Sequence, residues 1–277
     1  MGVSICLRAT SLLFCKIAMQ TMGPFLLMGT RFLIAFIVIG LIFRKTLAGA
    51  TRSELVHSAV LGFISVLAIA FELMGLQNTD TSVTAFLEGT VVIMVPFLVC
   101  VLSRTLPDRA TVITAVLSLT GVGLLTLKGG HISISSGELL VIVGTFWYAV
   151  LVLITDRYAK RDNALVIGVL QMLFIALCSL AGAFIFEEIR IPSGREAWIS
   201  ILALALLCSG VGFTLQPIGQ KYTTPERAGL LSLLNPVTAA ALGVAFLGES
   251  VNAVRAAGAL LILISIIVPA VRTKPRT

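Results

Sequence analysis

The sequence predicts an all-α integral membrane protein: ten transmembrane helices arranged as two inverted five-helix repeats. Three observations predict it. The 277 residues are 58% apolar and only 12% charged, too little charge to coat a soluble protein of this size. The apolar residues run in stretches of about 20, enough to cross roughly 30 Å of hydrocarbon. And a block near residues 71–127 recurs near residues 213–271. The first copy begins Phe71-Glu-Leu-Met-Gly and reaches Pro96; the second begins Phe213-Thr-Leu-Gln-Pro and reaches Asn235-Pro236.

In order, the expected spans are 3–20, 24–43, 55–76, 82–103 and 108–127, within a first repeat of residues 1–130. Those of the second repeat, residues 131–277, are 136–155, 163–186, 197–219, 227–247 and 251–270. Five is odd, so the second repeat enters the bilayer from the opposite side. Such inversion underlies many alternating-access carriers. The connections are too short for a separate soluble domain. A closed β-barrel does not fit, because the apolar runs are about twice the length of a barrel strand. The first span is short and carries Arg8. It reads as a span rather than a cleaved signal peptide, and further residues are expected upstream of Met1.

The net charge of +7 does not mark a nucleic-acid binder, because of where it falls. With a cytoplasmic N-terminus, thirteen Lys and Arg lie in inner loops, among them Arg44, Lys45, Arg157, Lys160 and Arg272. Four lie in outer loops: Lys128, Arg190, Arg195 and Arg255. That bias places both termini in the cytoplasm of a multi-pass inner or plasma membrane protein. The five cysteines, Cys6, Cys15, Cys100, Cys178 and Cys208, all fall within spans without CxxC spacing. They read as small apolar fillers, not disulfides or metal ligands. No cofactor is expected.

Ionisable groups inside spans cost about 2.5–3.5 kcal/mol each at mid-bilayer and mark function by default. Lys16, Arg31, Glu72 and Glu88 qualify. Counted from the span ends at about 1.5 Å per residue, all four fall in one outer-leaflet layer, roughly 6–10 Å deep. Two cations and two anions there would neutralise each other. The bland alternatives are that Lys16 and Glu72 snorkel to water and that Arg31 merely fixes helix packing. In the second repeat Glu72 corresponds to Gln216, Arg31 to Gln171 and Lys16 to Thr155, which keeps hydrogen bonding but drops charge. Glu72 and Glu88 are expected to share a site where one carboxylate exchanges protons during transport. Trp147 and Tyr148 are candidates for stacking on a substrate, with packing the alternative. Pro96 and Asn235-Pro236 are candidate helix kinks. Glu138, Glu187, Glu188 and Glu249 lie near span ends and read as solvated. His57 and His131 fall at opposite ends of the molecule and form no pair. Gly121-Val-Gly123 and Ala256-Ala-Gly258-Ala read as close helix packing. The last helix of each half offers a dimer face, so the chain is expected as a monomer or homodimer.

Phe14-Cys-Lys16-Ile-Ala, Gly29-Thr-Arg31-Phe-Leu-Ile-Ala, Gly75-Leu-Gln-Asn-Thr, Thr84-Ala-Phe-Leu-Glu-Gly, Gly144-Thr-Phe-Trp147-Tyr-Ala, Leu234-Asn-Pro236 and Phe246-Leu-Gly-Glu249 stand in this order along the chain. Together they resemble the EamA-type carriers of the drug/metabolite transporter superfamily. The resemblance spans essentially the whole chain. It implies two five-helix halves around a central pathway, and amino acids, other metabolites or drugs as solutes. The chain departs from the pattern at Arg8, where the family often has an aromatic, and has Arg104 where the second half has Glu249.

The expected function is a secondary transporter of a small organic solute, either driven by a gradient, with protons exchanged at a carboxylate as one route, or simply facilitating diffusion. No GxxxxGK[ST] phosphate cradle exists for nucleotide hydrolysis. A multidrug exporter of lipophilic cations is the first alternative. It would need a carboxylate in an aromatic-lined cavity. An intramembrane enzyme is the second, and the chain has no HExxH, GxSxG or usable Ser–His pair to support it.

Overall fold

The apolar stretches fold as helices whose ends are set by local chemistry. The computed structural model describes residues 11–104, 106, 109–125, 127–128, 131–132, 134–189, 192, 194–222 and 252–272. The start of the expected first span and the whole ninth, 227–247, lie outside them. Residues 11–18 form α1. Then come α2 (Pro24–Ile42), α3 (Arg44–Leu47), α4 (Arg52–Gln77), α5 (Thr81–Gly89), α6 (Val91–Ser103) and α7 (Arg109–Leu125). The second half has α8 (Ser136–Ala159), α9 (Ala164–Phe186), α10 (Arg195–Ala203), a π-helical segment Leu204–Val211, α11 (Gly212–Lys221) and α12 (Ala253–Arg272). The described chain is helical apart from two two-residue strands, Leu127–Lys128 and His131–Ile132, paired antiparallel where the expected halves join.

Among the described residues, six helical stretches are long and apolar enough to cross a membrane: Pro24–Ile42, Arg52–Gln77, Val83–Ser103, Ser136–Ala159, Ala164–Phe186 and Arg195–Lys221. Large apolar side chains line their outsides, with Phe184, Phe186 and Leu102 each more than 70% exposed. A soluble monomer does not leave such surfaces bare; lipid covers them at no cost.

Two helices begin in capping boxes. Glu54 N donates to Thr51 Oγ1 (3.2 Å) and Thr51 N donates to Glu54 Oε2 (2.7 Å) at the start of α4. Glu138 N donates to Ser135 Oγ (3.2 Å) and Ser135 N to Glu138 Oε2 (2.8 Å) at the start of α8. Each box satisfies two backbone donors that no turn of helix precedes.

Glycines let the helices approach. A methyl added at Gly75 of α4 would lie 2.6 Å from Gly137 O of α8, and one at Gly144 of α8 would lie 2.8 Å from Ala68 O of α4. The pairing 75 with 137 and 68 with 144 makes α4 and α8 antiparallel. Gly62 of α4 meets Phe174 and Gln171 of α9, and Ser58 Oγ lies 3.4 Å from Ile167 O, so α4 and α9 are parallel. Gly29 of α2 packs on Leu180 of α9, while Gly182 of α9 packs on Phe25 of α2. Thus α2 and α9, the second helix of each half, run antiparallel face to face, as an inverted repeat requires. The last helices pair too: Gly121 of α7 meets Gly258 and Ile262 of α12. The small-residue faces expected to pack closely do so, and they pack on each other. A central core of Leu27, Met28, Phe32, Leu73, Leu76 and Met172 knits α2, α4 and α9 together.

Candidate functional site

The candidate charges stand on four helices: Lys16 on α1, Arg31 on α2, Glu72 on α4 and Glu88 on α5. Arg31 sits one turn into the buried face of α2, between Met28 and Ala35, and is only 6% exposed. Its Nη1 donates to the Cys15 thiol of α1 (Sγ, 3.1 Å). Its guanidinium carbon stands 4.9 Å from the centre of the Phe32 ring. Its Nε meets no acceptor among the described residues. Glu72 and Cys208 also lie within electrostatic range of Cys15, so a cation and an anion flank one buried thiol. The neighbouring Lys16 turns away and donates from Nζ to Thr79 O (2.9 Å), in the link between α4 and α5. That bond ties α1 to the link.

Glu88 is 7% exposed and stands at the last turn of α5, next to a break in its span. The break falls at Thr90, which separates α5 from α6. There Thr90 N donates to Leu87 O (3.1 Å) and Thr90 Oγ1 to the same carbonyl (2.6 Å). The hydroxyl competes for a helical carbonyl and tightens the turn. Pro96 lies inside α6, six residues beyond Thr90. Interrupted helices carry the binding sites of many carriers.

The second half answers with neutral groups. Gln171 of α9 is 3% exposed and donates from Nε2 to Ser65 Oγ of α4 (2.7 Å). Thr155 is buried and Gln216 half-buried. The register that relates Glu72 to Gln216 also relates Ser65 to Ser209, a correspondence that reading the sequence missed although both serines were visible. Ser209 lies on the π-helical segment that packs against α2, and is buried. So the symmetry-related pairs differ: Gln171 takes a hydroxyl on α4, whereas Arg31 takes a thiol on α1.

Trp147 packs among Leu61, Ile64, Leu151 and Ile167, edge-on to Phe146 at 5.9 Å. Tyr148 lies between that cluster and the one built on Phe86, Val91 and Val95. Asn235 and Pro236 lie outside the described residues.

Two carboxylates expected in solvent are not there. Glu138 is 3% exposed and locked in the α8 capping box. Glu187 receives Phe25 N (2.7 Å) and Leu26 N (2.9 Å), closing the N-terminus of α2; its charge also opposes the helix dipole there. Sequence distance hid this partner. Glu188 is exposed, as expected, and Glu249 lies outside the described residues. At the other end of the bundle Glu54 Oε1 accepts from Asn163 N (3.0 Å). Beside it His57 pairs through Nδ1 with Asp162 and stacks on Tyr158 at 3.8 Å. The expectation that His57 and His131 form no pair left this histidine without a role; it joins α4 to the α8–α9 turn.

Long apolar helices with exposed apolar outsides, second helices packed antiparallel, and charges buried inside the bundle are the marks of a polytopic membrane transporter. The sequence profile of the EamA-like transporter family matches residues 3–127 and again residues 135–270, and the chain belongs to that family, within the drug/metabolite transporter superfamily. It is similar to a protein of Archaeoglobus fulgidus named an uncharacterized transporter, 25% identical over 93% of this chain and 80% of that one. It is similar also to the Bacillus subtilis uncharacterized transporter YetK, 24% identical over 99% of this chain and 86% of that one. A solved crystal structure shares the fold with a TM-score of 0.74 at 20% identity, over 98% of this chain and 95% of its own.

Proposed function

We propose that the chain is a secondary carrier that moves a small organic solute, such as an amino acid or other metabolite, across the inner or plasma membrane by alternating access, with both termini cytoplasmic. The observation that carries this reading is the antiparallel packing of α2 on α9, with Arg31 and its counterpart Gln171 buried on those two helices. Rocking one half against the other about such an axis exposes a central site to each side in turn. The break at Thr90 beside Glu88 supports a site at that level.

Glu72 and Glu88 supply the coupling in this reading, one of them taking up and releasing a proton as the pathway changes sides. Protein reconstituted in liposomes and loaded with labelled amino acids, metabolites and one lipophilic cation should exchange one solute class, with a rate that depends on pH. Glu72→Gln or Glu88→Gln should flatten that dependence. If neither substitution changes it, proton coupling through these groups is wrong. If folded protein exchanges nothing in the pool, the carrier reading loses its support. Exchange of the lipophilic cation alone would move the assignment to drug export.

A further inference from the structure

Arg31 is under-satisfied for a buried cation. A guanidinium has five donors in a fixed planar fork, and no form of it is neutral in a protein. Buried, it demands acceptors, because a desolvated charge without them is costly. Among the described residues, what it meets is a thiol sulfur, a weak acceptor, and the face of one phenyl ring. Nε has no acceptor among the described residues. The counterpart in the other half is better provided for: Gln171 is as deeply buried and takes a good hydroxyl acceptor at 2.7 Å. Arg31 has the stronger demand and the weaker partner.

The surroundings are those of a pathway residue. Cys15 lies on α1, Arg31 on α2, and Cys208 on the π-helical segment, so three elements from both halves converge there. A π-helical stretch inside a span is a local weakening of the helix that recurs at functional sites. The negative charge near the site, Glu72, is held on a fourth element, α4.

We infer that Arg31 is the docking point for the carboxylate of the transported solute, the planar oxyanion completing the fork that the Cys15 thiol only partly occupies. This names the substrate class of the carrier proposed above and rests on that reading. A carboxylate matches the guanidinium with two parallel charge-assisted hydrogen bonds, and binding it at this depth repays the burial of the cation. Lys16 is turned to Thr79 O and takes no part. Carboxylic solutes should therefore bind far better than their carboxamides, which match in shape but lack the charge and one acceptor.

The test is thermal unfolding of the purified full chain in detergent with amino acids and short-chain carboxylic acids, each paired with its carboxamide, and with inorganic phosphate. At least one acid should raise the unfolding temperature, its amide needing about tenfold or more higher concentration for the same rise. Arg31→Gln should abolish the effect. Arg31→Lys, which keeps charge but not the fork, should shift the half-maximal concentration up about tenfold. An amide as effective as its acid, phosphate as effective as the best acid, no rise with any acid, or full stabilisation of Arg31→Gln would overturn the assignment. The first three use the wild-type protein and do not depend on the variants folding. An Arg31-dependent rise without exchange in liposomes would keep the site and sink the carrier. Exchange of a solute that lacks a carboxylate, unchanged by Arg31→Gln, would do the reverse.

Discussion

Glu187 shows how much one carboxylate can organise. It lies past the end of α9, yet both its oxygens accept amides of the first turn of α2. A methyl at Gly23 would fall 2.3 Å from that carboxyl carbon, so the absent side chain leaves room for the cap. Glu187→Ala should cost about 1–2 kcal/mol, the range of a lost helix cap, and Glu187→Gln less, read as a fall in unfolding temperature in detergent. An unchanged temperature for the alanine variant would mean that the cap is idle. The sequence made the residue visible but not its partner. Hydropathy singled out Lys16, Arg31, Glu72 and Glu88 because a charge in an apolar run stands out against its neighbours. It could not show that Arg31 meets Cys15, since nothing local fixes how two helices turn toward each other. For Glu138 the signal was present: Ser135 three residues before a glutamate is a capping box, and the position near a span end obscured it.

Among the elements, glycine placement decides contact. Gly75 has backbone against it at 2.6 Å, whereas the nearest atom to a methyl at Gly40 is 3.6 Å away. Gly75→Val should force α4 from α8 and destabilise by about 1–3 kcal/mol, the usual cost of overpacking. Gly40→Ala should be neutral or stabilise by about 0.5–1 kcal/mol, since helical glycine carries an entropic cost. Equal effects of the two in thermal unfolding would refute the packing described. The span limits were legible because length and hydropathy set them; α2, α4, α8 and α9 begin or end within a few residues of expectation. The interruptions were not. The break at Thr90 comes from a hydroxyl bonding a carbonyl one turn back, whereas proline drew attention to position 96. The π-helical Leu204–Val211 has no sequence mark at all: Thr214 Oγ1 closes on Gly210 O at its end, a bond that any helical threonine can make.

Across the whole molecule, the repeat was the most legible feature, because an odd number of spans leaves the second half no choice but inversion. The fold bears this out in the antiparallel packing of α2 against α9. What inversion does not dictate is chemical symmetry. The first half keeps charge where the second keeps amides and hydroxyls, and the two ends of the bundle are tied by different contacts. One end is tied by Lys16 to a backbone carbonyl and by Glu187 to helix amides. The other is tied by Glu54 to Asn163 and by His57 to Asp162. A carrier built this way should open its two ends with different energies.

Alternating access itself is tested most directly at Cys15, which is 2% exposed and touches the guanidinium on which the account turns. In protein whose other four cysteines are replaced, reconstituted in one orientation, a membrane-impermeant thiol reagent should modify Cys15 slowly from either face of the liposome, and the exchanged solute should protect it. Reaction from neither face while exchange proceeds would contradict a pathway through Arg31 and the alternating-access account with it.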